Sequence, residues 1–389
     1  MKPSKKLLLF VLILLLIIQS SRLSNQMRMP LDDFLAYWSA ARLLMEGQDP
    51  YSLENLGAKQ REVGWTEPPL VMLYPPWTFL FLLPFALFSY PVSRLLWLSL
   101  QMTSLLLGVA CIWKIYGGSG RLVWLSSVFA LFFFPASYTL RVGQIDCLVL
   151  LGLAGFFFYE NRNNDVASGF CCALIALKPH PVYLFWIALA IWAVCRRRWK
   201  LLFAGCLIGV FSTVAVLALN PYLVTEYFRA CFHHPPTYWK TPTLAAWLRS
   251  FIASGSSWPL ILPSVVGFCW LLALWHRNRR HWEWREQLPL LLLVSVLTSP
   301  YSWYFDMSLL LLPLIQTLVW VSKARMILLS TVYGLVYIGL NAFAYWLNWK
   351  EVNEFAYIWG APALLVGYLV VRHFVRDSGG PMAAQCPSA

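Results

Sequence analysis

Charge is scarce in this sequence. Only 12% of its 389 residues are Asp, Glu, Lys or Arg, against about 25% in an ordinary soluble protein. That deficit, with 59% hydrophobic residues and a mean hydropathy of +0.62, excludes a soluble globular chain and a solvated disordered one. The nine cysteines contain no C-x-x-C pair and mostly lie inside apolar runs. This excludes a disulfide framework or a cysteine zinc site and leaves them as small buried hydrophobes. No metal ligand set is expected. A Gly-rich phosphate loop is also missing, which excludes a nucleotide site of that kind. Finally, no small-x-small cleavage site follows the apolar run 7–18 behind Lys2, Lys5 and Lys6; the next residues are Gln19, Ser20, Ser21, Arg22 and Leu23. The start of the chain therefore reads as an uncleaved signal anchor.

What is abundant is apolar and aromatic: 21 Trp, 18 Tyr and 25 Phe. Trp and Tyr concentrate where hydrocarbon meets headgroups. Apolar segments recur at 7–20, 95–113, 122–137, 147–159, 166–178, 181–195, 201–219, 259–275, 288–299, 307–321, 326–347 and 356–371. The expected architecture is all-α and polytopic, about 12 transmembrane helices (11–13), although several segments fall short of the ~20 residues of a straight span. A further segment, 77–88, is bracketed by Pro75, Pro76, Pro84 and Pro91 and reads as re-entrant or interfacial. A single membrane domain is expected over 1–375, with a disordered cytoplasmic tail at 376–389.

Loop charge orients this arrangement. With Lys5 and Lys6, Arg196 to Lys200, the loop of Arg277 to Arg285, Lys323, Arg325, Arg372 and Arg376 placed in the cytoplasm, the positive-inside rule is satisfied. The excess of +13 then falls on that one side. It is a topology signal, so a nucleic-acid partner loses its support. The reading is a multi-pass protein of the cell membrane, both termini cytoplasmic and the active face outside.

The outer loops, chiefly 21–76 and 220–259, hold most of the chemistry. In the first, Phe34, Trp38, Ala41 and Met45 recur at helical spacing, giving a short amphipathic helix with an interfacial stripe. Gly47 ends it and Asp49-Pro50 begins a turn. Asp32 and Asp33 stand at its start, where capping competes with a role as base. Shorter junctions carry Arg141 to Asp146, Lys178-Pro179-His180-Pro181 and Ser299 to Asp306. Ionisable groups at a membrane edge are functional candidates. Their bland alternatives are snorkelling for Lys178, an Arg141–Asp146 pair, capping by Asp306 and a solvated His233–His234 pair.

These motifs carry a resemblance. Asp33 to Tyr51 reads D-F-x-x-Y-W-x-A-A-R-x-L-x-x-G-x-D-P-Y. It is followed by Tyr74-Pro75-Pro76, the Pro84 segment, Gly143-Gln144, Gly169 with Lys178-x-x-Pro181, and Ser299-Pro300-x-x-Trp303-Tyr304-x-Asp306. In order and spacing the chain resembles glycosyltransferase family 87, polytopic enzymes of the GT-C type. It departs from the family at Ile145-Asp146, where Asn often follows Gly-Gln, and at Thr241 to Leu244, in place of an Asn-Ser-Leu-like stretch.

The resemblance implies a mannosyltransferase-like hexosyltransferase using a polyprenyl-phosphate sugar and a lipid or glycan acceptor, with inversion and no cofactor. Asp33 would be the base on the acceptor hydroxyl, with Asp32 its neighbouring acid. Lys178, and behind it His180 and Arg141, would meet the donor phosphate. Asp306, Gln144, Tyr37, Tyr304, His233 and His234 would orient substrate. Two rival classes stand beside this reading: a transporter or flippase of lipid-linked glycans, which should show internal repeats and midplane polar residues, and a non-catalytic assembly partner.

Overall fold

The computed structural model describes residues 30–233, 239–252, 258–324 and 327–377. The expected anchor at 7–20, and His234, lie outside the described residues. Within them every regular element is helical. Six helical segments are long and apolar enough to cross a membrane: Tyr90–Ile115, Trp199–Leu217, Trp258–His281, Tyr304–Lys323, Ile327–Trp349 and Glu354–Asp377. A seventh would be the pair Gly120–Phe132 and Phe134–Val142, bent by 67°. The protein is a multi-pass membrane protein, but twelve full spans are not among the described residues. The runs expected at 147–159, 166–178, 181–195 and 288–299 form helices of 15, 11, 13 and 15 residues. Each is short of the ~20 residues a straight span requires. Lys178-Pro179-His180-Pro181 is one cause: Pro181 lacks the N–H a continuing helix needs.

The described residues group into two compact units. The first is drawn from Met1–Gln101, Val142–Gln144 and Val210–His234. It contains α1 (Phe34–Met45), α2 (Leu53–Arg61), α3 (Thr78–Ala86) and the start of α4 (Tyr90–Ile115). The sequence predicts α1, but its expected interfacial stripe gives way to burial on nearly all sides, from Phe34 through Ala41 and at Leu43 and Leu44. The reason is in the side chains. Ala36, Ser39, Ala40 and Ala41 are small enough for neighbours to approach closely, and Phe34 stacks on Trp97 at 5.1 Å. The polar atoms are satisfied inside: Ser39 Oγ donates to the Leu35 carbonyl at 2.7 Å and Trp38 Nε1 to that of Phe88 at 3.1 Å.

The end of α1 follows its sequence closely. Gly47 takes φ +69°, its N–H reaching the Leu44 carbonyl, while the Gln48 N–H reaches that of Leu43. That is a Schellman closure. Asp49 Oδ1 then accepts from the Tyr51 N–H at 2.8 Å, making the expected turn. The 77–88 segment is the nine-residue α3, with Pro84 inside it.

The second unit is drawn from Met102–Arg141, Ile145–Gly209 and Pro235–Ala389. Along the chain come α5 (Val123–Phe132), α6 (Phe134–Val142), α7 (Asp146–Glu160), α8 (Asp165–Ile175), α9 (Tyr183–Cys195) and, as far as Gly209, α10 (Trp199–Leu217). After α11 (Leu223–His233), which belongs to the first unit, follow α12 (Leu244–Ile252), α13 (Trp258–Asn278), α14 (Trp284–Thr298), α15 (Leu311–Ala324), α16 (Ile327–Trp349) and α17 (Gly360–Asp377). The last helix continues through Arg376 and Asp377, two residues into the tail expected to be disordered. The Tyr304–Lys323 segment is 83% buried and Ile327–Trp349 only 11%, so the former is central to this unit and the latter faces its surroundings. Gly169 lets α8 and α10 touch: a Cβ there would lie 2.5 Å from the Leu201 carbonyl oxygen and 2.8 Å from the Ala204 Cβ.

Gly169→Val is therefore expected to destabilise the protein by about 1–3 kcal/mol, the usual cost of overpacking. Gly339→Ala, at a helical position with open space around it, should be neutral or stabilising by up to about 1 kcal/mol. Thermal unfolding of the detergent-solubilised variants measures both, and equal melting temperatures would contradict this packing.

Candidate active site

At the start of α1 the two adjacent carboxylates have separate tasks. Asp32 Oδ1 accepts the Phe34 N–H at 3.1 Å. Its Oδ2 receives Arg94 Nε at 2.8 Å and Arg94 Nη2 at 2.7 Å, a two-pronged guanidinium contact that fixes the side chain in direction as well as charge. Tyr90 Oη donates to the Pro30 carbonyl and lies 3.4 Å from Asp32 Oδ1. Burial pushes the Asp32 carboxyl up to about 6, against the opposing pull of Arg94.

Asp33 makes no side-chain cap and is half-buried. Its Oδ2 accepts from Gln144 Nε2 at 2.8 Å. A carboxylate only accepts, so this contact orients the Gln144 amide and turns its oxygen the other way. There, Tyr37 Oη lies 2.8 Å and Tyr74 Oη 2.9 Å from Gln144 Oε1, with 2.7 Å between the hydroxyls. Three elements of the sequence pattern thus converge. Tyr51, which closes the first motif, holds Tyr74 in place by donating to its carbonyl at 2.8 Å.

Gly143 is what allows Gln144 to be there. It adopts φ +74°, and a Cβ would sit 2.7 Å from that of Phe34 and 3.3 Å from Asp32 Oδ1. Its carbonyl accepts from Trp97 Nε1 at 2.7 Å. The left-handed backbone and the close approach both call for glycine.

In the second unit Lys178, Asp146 and Asp306 meet below the surface. Lys178 Nζ is 3.0 Å from Asp146 Oδ2, closer still to Asp306 Oδ1, and 4.3 Å from the centre of the Phe305 ring. Asp306 Oδ2 accepts from the Trp303 N–H at 2.6 Å and Ser302 Oγ at 3.0 Å, so it both caps a helix start and pairs a charge. His180 Nε2 is 3.9 Å from Asp306 Oδ2, its ring stacked on Tyr301 at 4.3 Å. The Lys178 ammonium, in the junction before α9 and 2% exposed, is enclosed by two carboxylates, Asp146 at the start of α7 and Asp306 beyond the end of α14. Asp146 pairs with Lys178, not Arg141, whose Nη2 donates to Asn348 Oδ1 at 3.2 Å.

The remaining candidates lie elsewhere. Tyr304 packs on Tyr357 at 4.1 Å and Phe134 at 5.3 Å, within an aromatic core. His233 is the exposed last residue of α11. No group of three His, Cys, Asp or Glu side chains among the described residues could hold a metal. Arg94 and Tyr74 were missed as site residues. A single Arg within the apolar run that becomes α4 is the signal that could have identified Arg94.

The Asp32–Arg94 pair sets a pH test. The folded carboxyl holds its proton more tightly than the unfolded chain (about 6 against 3.8). Protonation thus favours the fold below pH 3.8, and that contribution is lost as pH rises through 6. Arg94→Met leaves a charged, buried Asp32 above that range. It should cost about 3–5 kcal/mol at pH 8 and distinctly less at pH 5, measured by unfolding at both. Equal losses would contradict the pairing. Lys178→Met should likewise destabilise by about 3–5 kcal/mol, by stranding two buried carboxylates; an unchanged melting temperature would argue against the hub.

No solved structure and no curated protein matches this sequence. A sequence model of glycosyltransferase family 87 matches residues 72–300, more than half of the chain. The matched stretch includes Tyr74, Gly143, Gln144 and Lys178, each of them built into one of the two polar clusters, whereas Asp33 and Asp306 fall outside it. The chain belongs to glycosyltransferase family 87, and it is a membrane glycosyltransferase.

Proposed function

We propose that this glycosyltransferase moves a hexose from a polyprenyl-phosphate donor to a hydroxyl of a lipid or glycan acceptor at the outer face of the cell membrane, with Asp33 as the general base. The observation that carries the reading is the division of labour at the start of α1. Asp32 takes the cap and the ion pair, which leaves the Asp33 carboxylate half-buried and aimed by the neutral Gln144 amide. With Asp32 engaged by Arg94 and the Phe34 N–H, Asp33 is the carboxylate of the two that we assign to the acceptor hydroxyl.

The chemistry asks little more of the protein. A lipid phosphate is a competent leaving group, so no strong acid is required. Asp33 accepts the acceptor's hydroxyl proton as that oxygen bonds to the anomeric carbon. The bond from that carbon to the phosphate oxygen breaks on the opposite side, giving inversion and a free polyprenyl phosphate. A base correctly positioned for such a transfer contributes typically 10²–10⁴ in rate. Tyr37 and Tyr74 act one step back, by holding the amide that holds the base.

Membranes containing the protein, supplied with a radiolabelled polyprenyl-phosphate hexose, test this directly. Asp33→Asn should lower transfer by about 10²-fold or more, and Gln144→Leu by a smaller factor without loss of donor binding. Transfer that survives Asp33→Asn unchanged would remove Asp33 from the chemistry. A product with the donor's anomeric configuration would rule out the single displacement.

A further inference from the structure

A second polar site lies in the unit that contains Lys178, where the last turns of α6 and α16 border a cavity of about 420 Å³. That is within the ~300–1,000 Å³ of small-molecule sites. Its wall combines Tyr138, Arg141, Asn348, Trp349, Glu351 and Glu354, an unusual concentration of polar groups for so apolar a chain.

The wall is held by its own bonds. Tyr138 Oη donates to Glu354 Oε1 at 3.0 Å, and Arg141 Nη2 to Asn348 Oδ1 at 3.2 Å with its guanidinium 5.0 Å from the Tyr138 ring centre. Further down, α6 and α16 are fastened by the Phe134 N–H to Asn341 Oδ1 at 2.6 Å and by Ser137 Oγ to Tyr345 Oη at 2.8 Å. These bonds tie the two helices together along the wall.

Glu351 is the informative residue. It occupies the left-handed position that closes α16, at φ +52°. Its N–H bonds to the Asn348 carbonyl, and the Val352 N–H to that of Leu347. Glycine is the residue that suits such a closure, and a glutamate there is strained. Strain of this sort gathers at functional sites.

Electrostatics select the ligand. The wall carries two carboxylates and one guanidinium, and the C-terminal ends of two helices add partial negative charge. A phosphate is disfavoured. What fits is a neutral ligand that both donates and accepts hydrogen bonds and has an apolar face: carboxylates take hydroxyl protons, guanidinium and amide give them, and indole and phenol rings cover C–H groups. We propose that this cavity binds a pyranose unit of a saccharide. The inference goes beyond sugar transfer at Asp33, because binding here needs neither the donor nor the base. It also reassigns Arg141 from phosphate to sugar.

Saturation-transfer NMR on the purified protein in lipid nanodiscs provides the test, with methyl α-mannopyranoside, methyl β-glucopyranoside and methyl β-galactopyranoside as probes. At least one should bind, and Glu354→Gln and Glu351→Gly should each weaken it about fivefold or more. Glu351→Gly should do so with an equal or higher melting temperature, which separates lost binding from lost fold. Asp33→Asn should bind as the unaltered protein does, so that failure of the base assignment leaves this one standing. An octyl glycoside of the bound sugar, below its micellar concentration, distinguishes the source: tighter binding marks a lipid-borne saccharide, equal binding a free glycan. Binding of none of the three probes, binding insensitive to both substitutions, or displacement by inorganic phosphate at equal concentration would overturn the proposal.

Discussion

The ion pair between Asp32 and Arg94 is the constraint on which the first unit depends. A lone Arg buried among apolar residues on α4 would be costly, and so would a lone Asp at the buried start of α1; together, with side chains 5% and 9% exposed, they satisfy one another. The pair fixes how α1 begins and where α4 runs beside it. Only glycine fits at position 143 because the Asp32, Arg94 and Phe34 atoms come so close. Gln144 follows from Gly143, and Asp33 is aimed by Gln144. Removal of the ion pair would therefore disturb Asp33, the proposed base, without touching it.

The second unit uses the same physics differently. Lys178 is paired with two acids from distant parts of the sequence, Asp146 and Asp306, and this cluster joins three separate stretches of the chain. Buried ion clusters of this sort contribute specificity of arrangement more than net stability. For a glycosyltransferase the consequence is that positive charge in the sequence is not the same as positive charge offered to substrate. Arg94 and Lys178 are both consumed internally, and Arg141 stands in a cavity where acids outnumber it.

Much of this was legible in the sequence, and the exceptions have physical causes. The helical membrane character and the start and end of the first loop's helix follow from composition and capping rules. Burial of α1 was not legible, because Phe34, Trp38, Ala41 and Met45 make the same stripe whether lipid or protein covers it. The partners of Lys178 were hidden for another reason: Asp146 and Asp306 are 32 and 128 positions away, and no local pattern records such a meeting. Hydropathy counts apolar runs, whereas a break such as Lys178 to Pro181 shortens the helices on either side, so six segments of full spanning length stand among the described residues. Glu351 could not be recognised at all, since a left-handed φ leaves no trace in a lone Glu.

The central claim is that adjacent acids divide structure from chemistry, and the most direct measurement takes both on one preparation. Turnover and melting temperature of Asp32→Asn and Asp33→Asn, purified side by side, should separate. Asp33→Asn is expected to melt with the unaltered protein while losing transfer; Asp32→Asn is expected to lose several degrees of melting temperature, with any loss of transfer following the loss of fold. A stable Asp32→Asn that is inactive, beside an active Asp33→Asn, would contradict the account and exchange the two roles.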